Sequence, residues 1–168
     1  MNEQKNVLET DTLLNSINRK GVVVLNVYDD NYRKSLTNIL LLESLNVKKR
    51  AVLVFTFNQT KEDLINDLLC TEVGISTVKR NLQDSDWIKM IEVTEKLKDS
   101  SIYITDDYRT VDDIALTVCK YVTTYPKELN FVFIDNLSKI QSDVSFELII
   151  KDLIIMADHH DISVIILK

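Results

Sequence analysis

Short apolar runs alternate along the chain with longer stretches in which apolar residues recur every three or four positions. The runs at residues 22–25, 51–57 and 162–167 are too continuous for half-exposed strands and too short for buried helices, which predicts strands covered on both faces. Residues 101–105 (SIYIT) and 131–135 (FVFID) complete a set of five. The helical stretches fall between them. Leu36, Ile39, Leu40 and Leu42 mark one that ends near Asn46; Leu64, Ile65, Leu68 and Leu69 mark the next, with Thr60 as its N-cap and Gly74 as its stop. After the Asp84-Ser85 cap, Trp87, Ile88, Ile91, Thr94, Glu95 and Leu97 predict a third, in which Trp87 anchors the helix in the core. Ile114, Val118, Cys119 and Val122 follow Thr110, and Leu148, Ile149, Leu153, Ile154 and Met156 lie within a last helix at 145–159. An imperfect stripe of Val7, Leu8, Leu13, Leu14 and Ile17 predicts a helix over 7–18 packed on the first strand, with Gly21 turning into it.

This alternation implies right-handed crossovers and an α/β fold of three layers, αβα, around a mainly parallel five-stranded sheet. In such sheets ligands bind beyond the carboxyl ends of the strands. Lys34, Ser35, Asn58, Asp106 and Asp135 are all predicted on that edge.

Composition narrows the picture. A chain of 168 residues, 45% hydrophobic and 27% charged, suits one domain with a substantial core, here the whole of 1–168. A net charge of −6 disfavours direct DNA binding, because phosphate contacts need a basic face. Lys48, Lys49 and Arg50 read as a solvated connection between helix and strand. The two cysteines, Cys70 and Cys119, sit in apolar helical patterns without metal-type spacing, as core thiols of a reducing compartment do. With a polar, acidic start and no apolar run long enough to span a bilayer, the expected location is cytoplasmic and away from membranes.

The candidate chemistry lies between the first strand and the first helix, where a phosphate-binding loop would require G-x-x-x-x-G-K-[ST]. Lys34-Ser35 supplies the final pair, but Tyr28 and Arg33 stand at the two glycine positions, with Asp29 and Asp30 between them. A left-handed conformation at either site costs about 1–2 kcal/mol without glycine. Carboxylates facing a polyphosphate add repulsion. The fourth strand ends on Asp135, where a Walker B aspartate would order the Mg²⁺ shell.

Taken together, the stretches YDDNYRKS, AVLVFTFNQTKEDLINDLL, VKRNLQDSDW, SIYITDD and FVFIDNLSKI resemble, in order and spacing, the C-terminal RecA-like ATPase domain of the DnaB-type replicative helicases. The resemblance runs from Thr12 to Lys168 and implies a RecA-like P-loop NTPase fold. It also implies a degenerate site. Asn58 stands where the family has the glutamate that activates the attacking water, and an amide accepts no proton near neutral pH. Lys34, Ser35 and Asp135 remain as a vestigial nucleotide and Mg²⁺ site, with Tyr28 and Arg33 replacing loop glycines. The family's sensor glutamine, DNA-binding loops and arginine finger follow the fifth strand, and it has a separate N-terminal domain. The resemblance therefore implies a truncated relative lacking all of these.

Phosphoryl transfer depends on positioning and charge stabilisation. The expected protein is accordingly a non-catalytic relative with no tightly held cofactor, acting through contact with a replicative helicase or another replisome protein, with room for oligomerisation. The alternative is a sensor that holds Mg-ATP weakly with slow or no hydrolysis. A decayed fragment without a role is a third reading, against which the intact apolar periodicity speaks. Tyr28 and Tyr32 either fill the vacant pocket or meet a partner. Asp106-Asp107 reads as a polar turn, and His159-His160 as a solvated helix end whose adjacent side chains point apart.

Overall fold

The computed structural model describes residues 20–46, 51–75, 82–98, 100–107, 110–124, 129–140 and 143–168. In chain order these form β1 (Gly21–Leu25), α1 (Asp30–Asn46), β2 (Ala51–Phe55), α2 (Lys61–Val73), α3 (Asp84–Lys98), β3 (Ile102–Thr105), α4 (Val111–Thr124), β4 (Leu129–Ile134), α5 (Phe146–His160) and β5 (Ser163–Leu167). A 3-10 turn at Leu137–Lys139 follows β4. The sheet runs β1-β5-β4-β2-β3, with every pairing parallel. The predicted segments 7–18 and Lys48-Lys49-Arg50 lie outside the described residues.

Strict alternation along the three central strands feeds two cores. Val52, Val54, Phe131, Phe133, Ile165 and Leu167 turn to one face and meet Leu36, Leu40 and Leu41 of α1 with Leu64 and Leu68 of α2. Leu53, Phe55, Val132, Ile134, Val164 and Ile166 turn to the other, under Ile114 and Val118 of α4 and Ile149, Leu153 and Met156 of α5. Each fully buried side chain of this size contributes about 1.5–3 kcal/mol. The outer strands differ from expectation. Every residue of β1 and of β3 is only half-buried, because each has a neighbouring strand on one side alone among the described residues. A run of valines cannot distinguish an edge strand from a central one.

The helix ends follow the local chemistry. The Thr60 hydroxyl accepts from Asp63 N at α2, and Gly74 closes that helix at φ 75°. Thr110 and Asp113 cap reciprocally: Asp113 N donates to the Thr110 hydroxyl and Thr110 N to the Asp113 carboxylate, each at 3.1 Å. The Asp106 carboxylate accepts from Lys61 N at 3.1 Å, so this residue ties the end of β3 to the start of α2 as part of a polar turn.

Three expectations fail. Trp87 is 53% exposed and lies on the outer face of α3, a helix with no buried residue. Cys119 is exposed and Cys70 half-buried. Ile114, Thr117 and Val118 take the buried face of α4, which leaves Cys119 beside an open groove with Leu116 and Ile155. His159 and His160 do not point apart: their rings meet edge to face, centroids 4.7 Å apart, where Asp161 closes α5 at φ 59°.

Candidate functional site

The edge at the carboxyl ends of the strands carries the expected residues, rearranged by one local event. α1 starts at Asp30, four positions ahead of Lys34, so Asp30 to Arg33 belong to its first turn rather than to a loop. The cause is a capping signal. The Asp29 carboxylate accepts from Tyr32 N at 2.7 Å while its carbonyl accepts from Arg33 N at 2.9 Å. The chain's own carboxylate thus satisfies the Tyr32 N–H at a helix start where an anion would otherwise be favoured. Sequence reading placed Asp29 as a repulsive loop residue and missed the cap, although an aspartate just ahead of a helical pattern is its ordinary signature.

Arg33 fills the interior of this turn. Its guanidinium donates to the Val27 carbonyl at 2.7 Å and pairs with Asp30 at 3.1 Å, and its side chain is 13% exposed. The chain between β1 and α1 is held from within, by an arginine at the position where a phosphate loop has glycine. Tyr28, at the other glycine position, is 96% exposed and so does not fill the pocket; Tyr32 is 44% exposed.

Asp135 is the most enclosed carboxylate of the site, at 4% exposure. One oxygen accepts from Phe57 N at 2.7 Å; the other lies 3.0 Å from the Thr56 hydroxyl and 3.4 Å from Asn58 N. These contacts explain why β2 stops at Phe55 and not at residue 57, since Phe57 turns its N–H to the carboxylate. Burial raises the Asp135 pKa above the usual carboxylate range, against the opposing pull of the Phe57, Thr56 and Asn58 hydrogen bonds and the Arg33 charge. A second tie joins the same two loops: Asn58 Oδ1 accepts from Asn136 Nδ2 at 2.9 Å, and Asn136 caps the 3-10 turn through Ser138 N. Thr56 and Asn136 carried no sequence signal beyond standing at strand ends.

Asp30, Arg33, Lys34, Thr37, Asn58, Gln59 and Asp135 line a cavity of about 150 Å³. Lys34, Arg33, Asn58 and Asp135 are therefore brought together as expected, whereas Ser35, Tyr28 and Asp106 do not line it. Lys34 is exposed, and its charge also reaches Asp67 on α2, where it opposes the burial that raises that carboxyl's pKa. Pockets that hold ligands run to ~300–1,000 Å³. Two cations and two carboxylates around half of that minimum suit ordered water or a small ion; Arg33 Nε and Gln59 Oε1, buried and unpartnered among the described residues, are groups such water can satisfy.

The raised Asp135 pKa has a measurable consequence. The folded state holds this proton more tightly than the unfolded chain does, so its contribution to stability is full below the ordinary aspartate value and is lost as pH rises through the folded value. Urea unfolding across pH 3 to 8 is expected to show wild type losing stability with rising pH relative to Asp135→Asn; a parallel pair of curves would contradict the shift.

The chain and its fold have counterparts among known proteins. Residues 20–168 match the profile of the DnaB-like helicase C terminal domain. Among solved structures, an ATPase domain superposes with a TM-score of 0.81 at 20% identity, covering 93% of this chain and 61% of its own. A DnaB-like replicative helicase, solved for its structure and its interactions with primase, gives 0.72 at 22% identity, covering 88% and 38% respectively. This chain thus spans less than two thirds of either neighbour's length, and the likeness establishes a shared RecA-like fold. Among curated proteins none matches.

Proposed function

The chain belongs to the DnaB-like helicase C-terminal domain family, and from that premise we propose that it is a member with a closed phosphate site, acting by protein contact rather than by hydrolysis. The observation that carries this reading is the early start of α1. Asp29 takes the N–H groups of Tyr32 and Arg33, and the Arg33 guanidinium braces the turn against Val27. A triphosphate would have to displace both. Mg²⁺ fits poorly as well: it requires near-octahedral oxygen ligands that keep several waters, and the Asp135 oxygens are already engaged by Thr56, Phe57 and Asn58. Asn58 in place of a proton-accepting glutamate removes the base.

The contact is with a replicative helicase or another replisome protein. Family membership supports it, together with a structural neighbour solved for its interactions with primase. No helix among the described residues is long and apolar enough to cross a membrane, and an acidic chain gains nothing from a DNA backbone. One observation favours a second reading, a weak Mg-ATP sensor: Lys34 and Asp135 still share one cavity.

Calorimetry decides between the two. Titration with Mg-ATP to about 1 mM is expected to give no saturable heat, which corresponds to binding weaker than about −4 kcal/mol. Saturable micromolar binding that disappears in Lys34→Ala would establish the sensor instead. The contact is tested separately by gel filtration with the replicative helicase of the same organism, where co-elution is expected and independent elution would refute it.

A further inference from the structure

The outer face of α3 carries a pattern that the fold does not use. Met90, Val93 and Leu97 turn inward, half-buried, and Leu97 packs on the core shared with α1 and α2. Asp84, Trp87, Ile88, Ile91, Thr94, Glu95 and Lys98 are all exposed. Their spacing puts them on one stripe, within an arc of about 120° at 100° per residue. Trp87, Ile88 and Ile91 at its centre are 53%, 58% and 62% exposed. A run of three large apolar residues at helical spacing is a pattern of burial, yet here it faces water.

The two ends of the stripe carry opposite charges at equal distance from its middle. Ile91 stands at its middle, with Asp84 seven residues before it and Lys98 seven residues after. Neither Asp84 nor Lys98 forms an ion pair among the described residues. Glu95 also lies on the stripe, whereas Lys96, on a different face, is occupied by Glu72 of α2 at 2.8 Å.

We propose that this face binds a second copy of the same chain, with the two α3 helices antiparallel about a two-fold axis at Ile91. The charges complement each other in that arrangement and in no parallel one. Rotation about the axis sets Asp84 of each copy opposite Lys98 of the other, about 10 Å either side of the centre. It sets Trp87 opposite Glu95, giving the indole N–H a carboxylate to bond. It sets Ile88 opposite Thr94. Thr94 and Lys98 rim an apolar cavity of about 230 Å³ lined by Ile65, Leu68 and Leu69 of α2 and by Ile102 and Ile104 of β3, so the opposing Ile88 has a recess to enter. Ile91 meets its own copy on the axis.

One helix pair makes a small interface, so the dimer is a weak one, with a dissociation constant on the order of 10–100 µM. Trp87 is the single tryptophan and lies inside the contact. A dilution series followed by sedimentation equilibrium is therefore expected to show monomer and dimer exchanging, with tryptophan emission moving to shorter wavelength as the dimer forms. Ile91→Asp, which brings two carboxylates together on the axis, should weaken association at least about tenfold without loss of circular dichroism, since the residue is exposed. Asp84→Lys and Lys98→Asp should each weaken it, and the double variant should restore it. A chain that stays monomeric to about 1 mM, a dimer indifferent to Ile91→Asp, or a double variant no tighter than the singles would each overturn the proposal. A dimer that ignores charge reversal but is lost in Leu14→Asp would give the stripe to the N-terminal segment and overturn it too.

Discussion

Replacing Asp135 by alanine should destabilise the protein by about 3 kcal/mol and lower its melting temperature by roughly 6–12 °C for a chain of this size. The magnitude follows from what the carboxylate holds. Phe57 N–H donates to one oxygen at 2.7 Å, and the Thr56 hydroxyl and Asn58 N–H lean on the other. Removing the acceptor strands donors in a site that is 4% exposed, at about 1–3 kcal/mol for each unsatisfied group. Relief from burying a charge returns part of that cost, and the Thr56 hydroxyl can turn to the Gln59 carbonyl at 2.9 Å, which keeps the net near the value above. Thermal and urea unfolding of the variant measure it directly. A carboxylate kept for a metal behaves in the opposite way, because sites built for ligands trade stability for function and their removal is commonly neutral or stabilising. A variant as stable as wild type would therefore show that Asp135 is a ligand in waiting rather than a latch between the loops after β2 and β4.

Individual residues show how much of this was legible beforehand. Burial on both faces of Val52, Leu53, Val54 and Phe55 is written in their unbroken apolar run, and strands separated by helical stretches leave few topologies once crossovers must be right-handed. Thr60, Gly74 and Thr110 act through local geometry, so their roles were readable from their neighbours alone. Strand order is not local, which is why β1 was expected to be covered on both faces like the central strands and stands, with β3, at the edges. Trp87 shows the same limit for helices. Its periodicity with Ile88 and Ile91 is correct, but period does not say which of two apolar faces meets the core, and the Met90, Val93 and Leu97 face took it. At the site, the loss of loop glycines was visible; the route by which Arg33 folds back to Val27, and the cap from Asp29, depend on where α1 starts, a boundary that sequence patterns fix to within a few residues at best.

Restoring glycine at positions 28 and 33 is expected to raise affinity for Mg-ATP about a hundredfold from a level below detection, and to lower stability. Two effects oppose phosphate in the present chain: non-glycine residues where the loop would need left-handed backbone, at about 1–2 kcal/mol each, and the arginine that braces the turn. Tyr28→Gly with Arg33→Gly removes both. Glycine in the first turn of α1 costs about 1 kcal/mol of helix relative to alanine, and loss of the Arg33 bond to Val27 with its pairing to Asp30 costs roughly 1–2 kcal/mol more. That cost falls on the turn from Asp30 to Arg33, so it favours a helix that begins nearer Lys34 and frees the N–H groups now held by Asp29. Stability and affinity should thus move in opposite directions in one variant. Calorimetry with Mg-ATP beside urea unfolding reads both, and adding Asn58→Glu should leave affinity within a few-fold while placing a carboxylate able to activate water at the end of β2. If the glycine variant loses stability yet binds no better than wild type, the closed turn is not what excludes the nucleotide, and the cause lies in the latch at Asp135 instead.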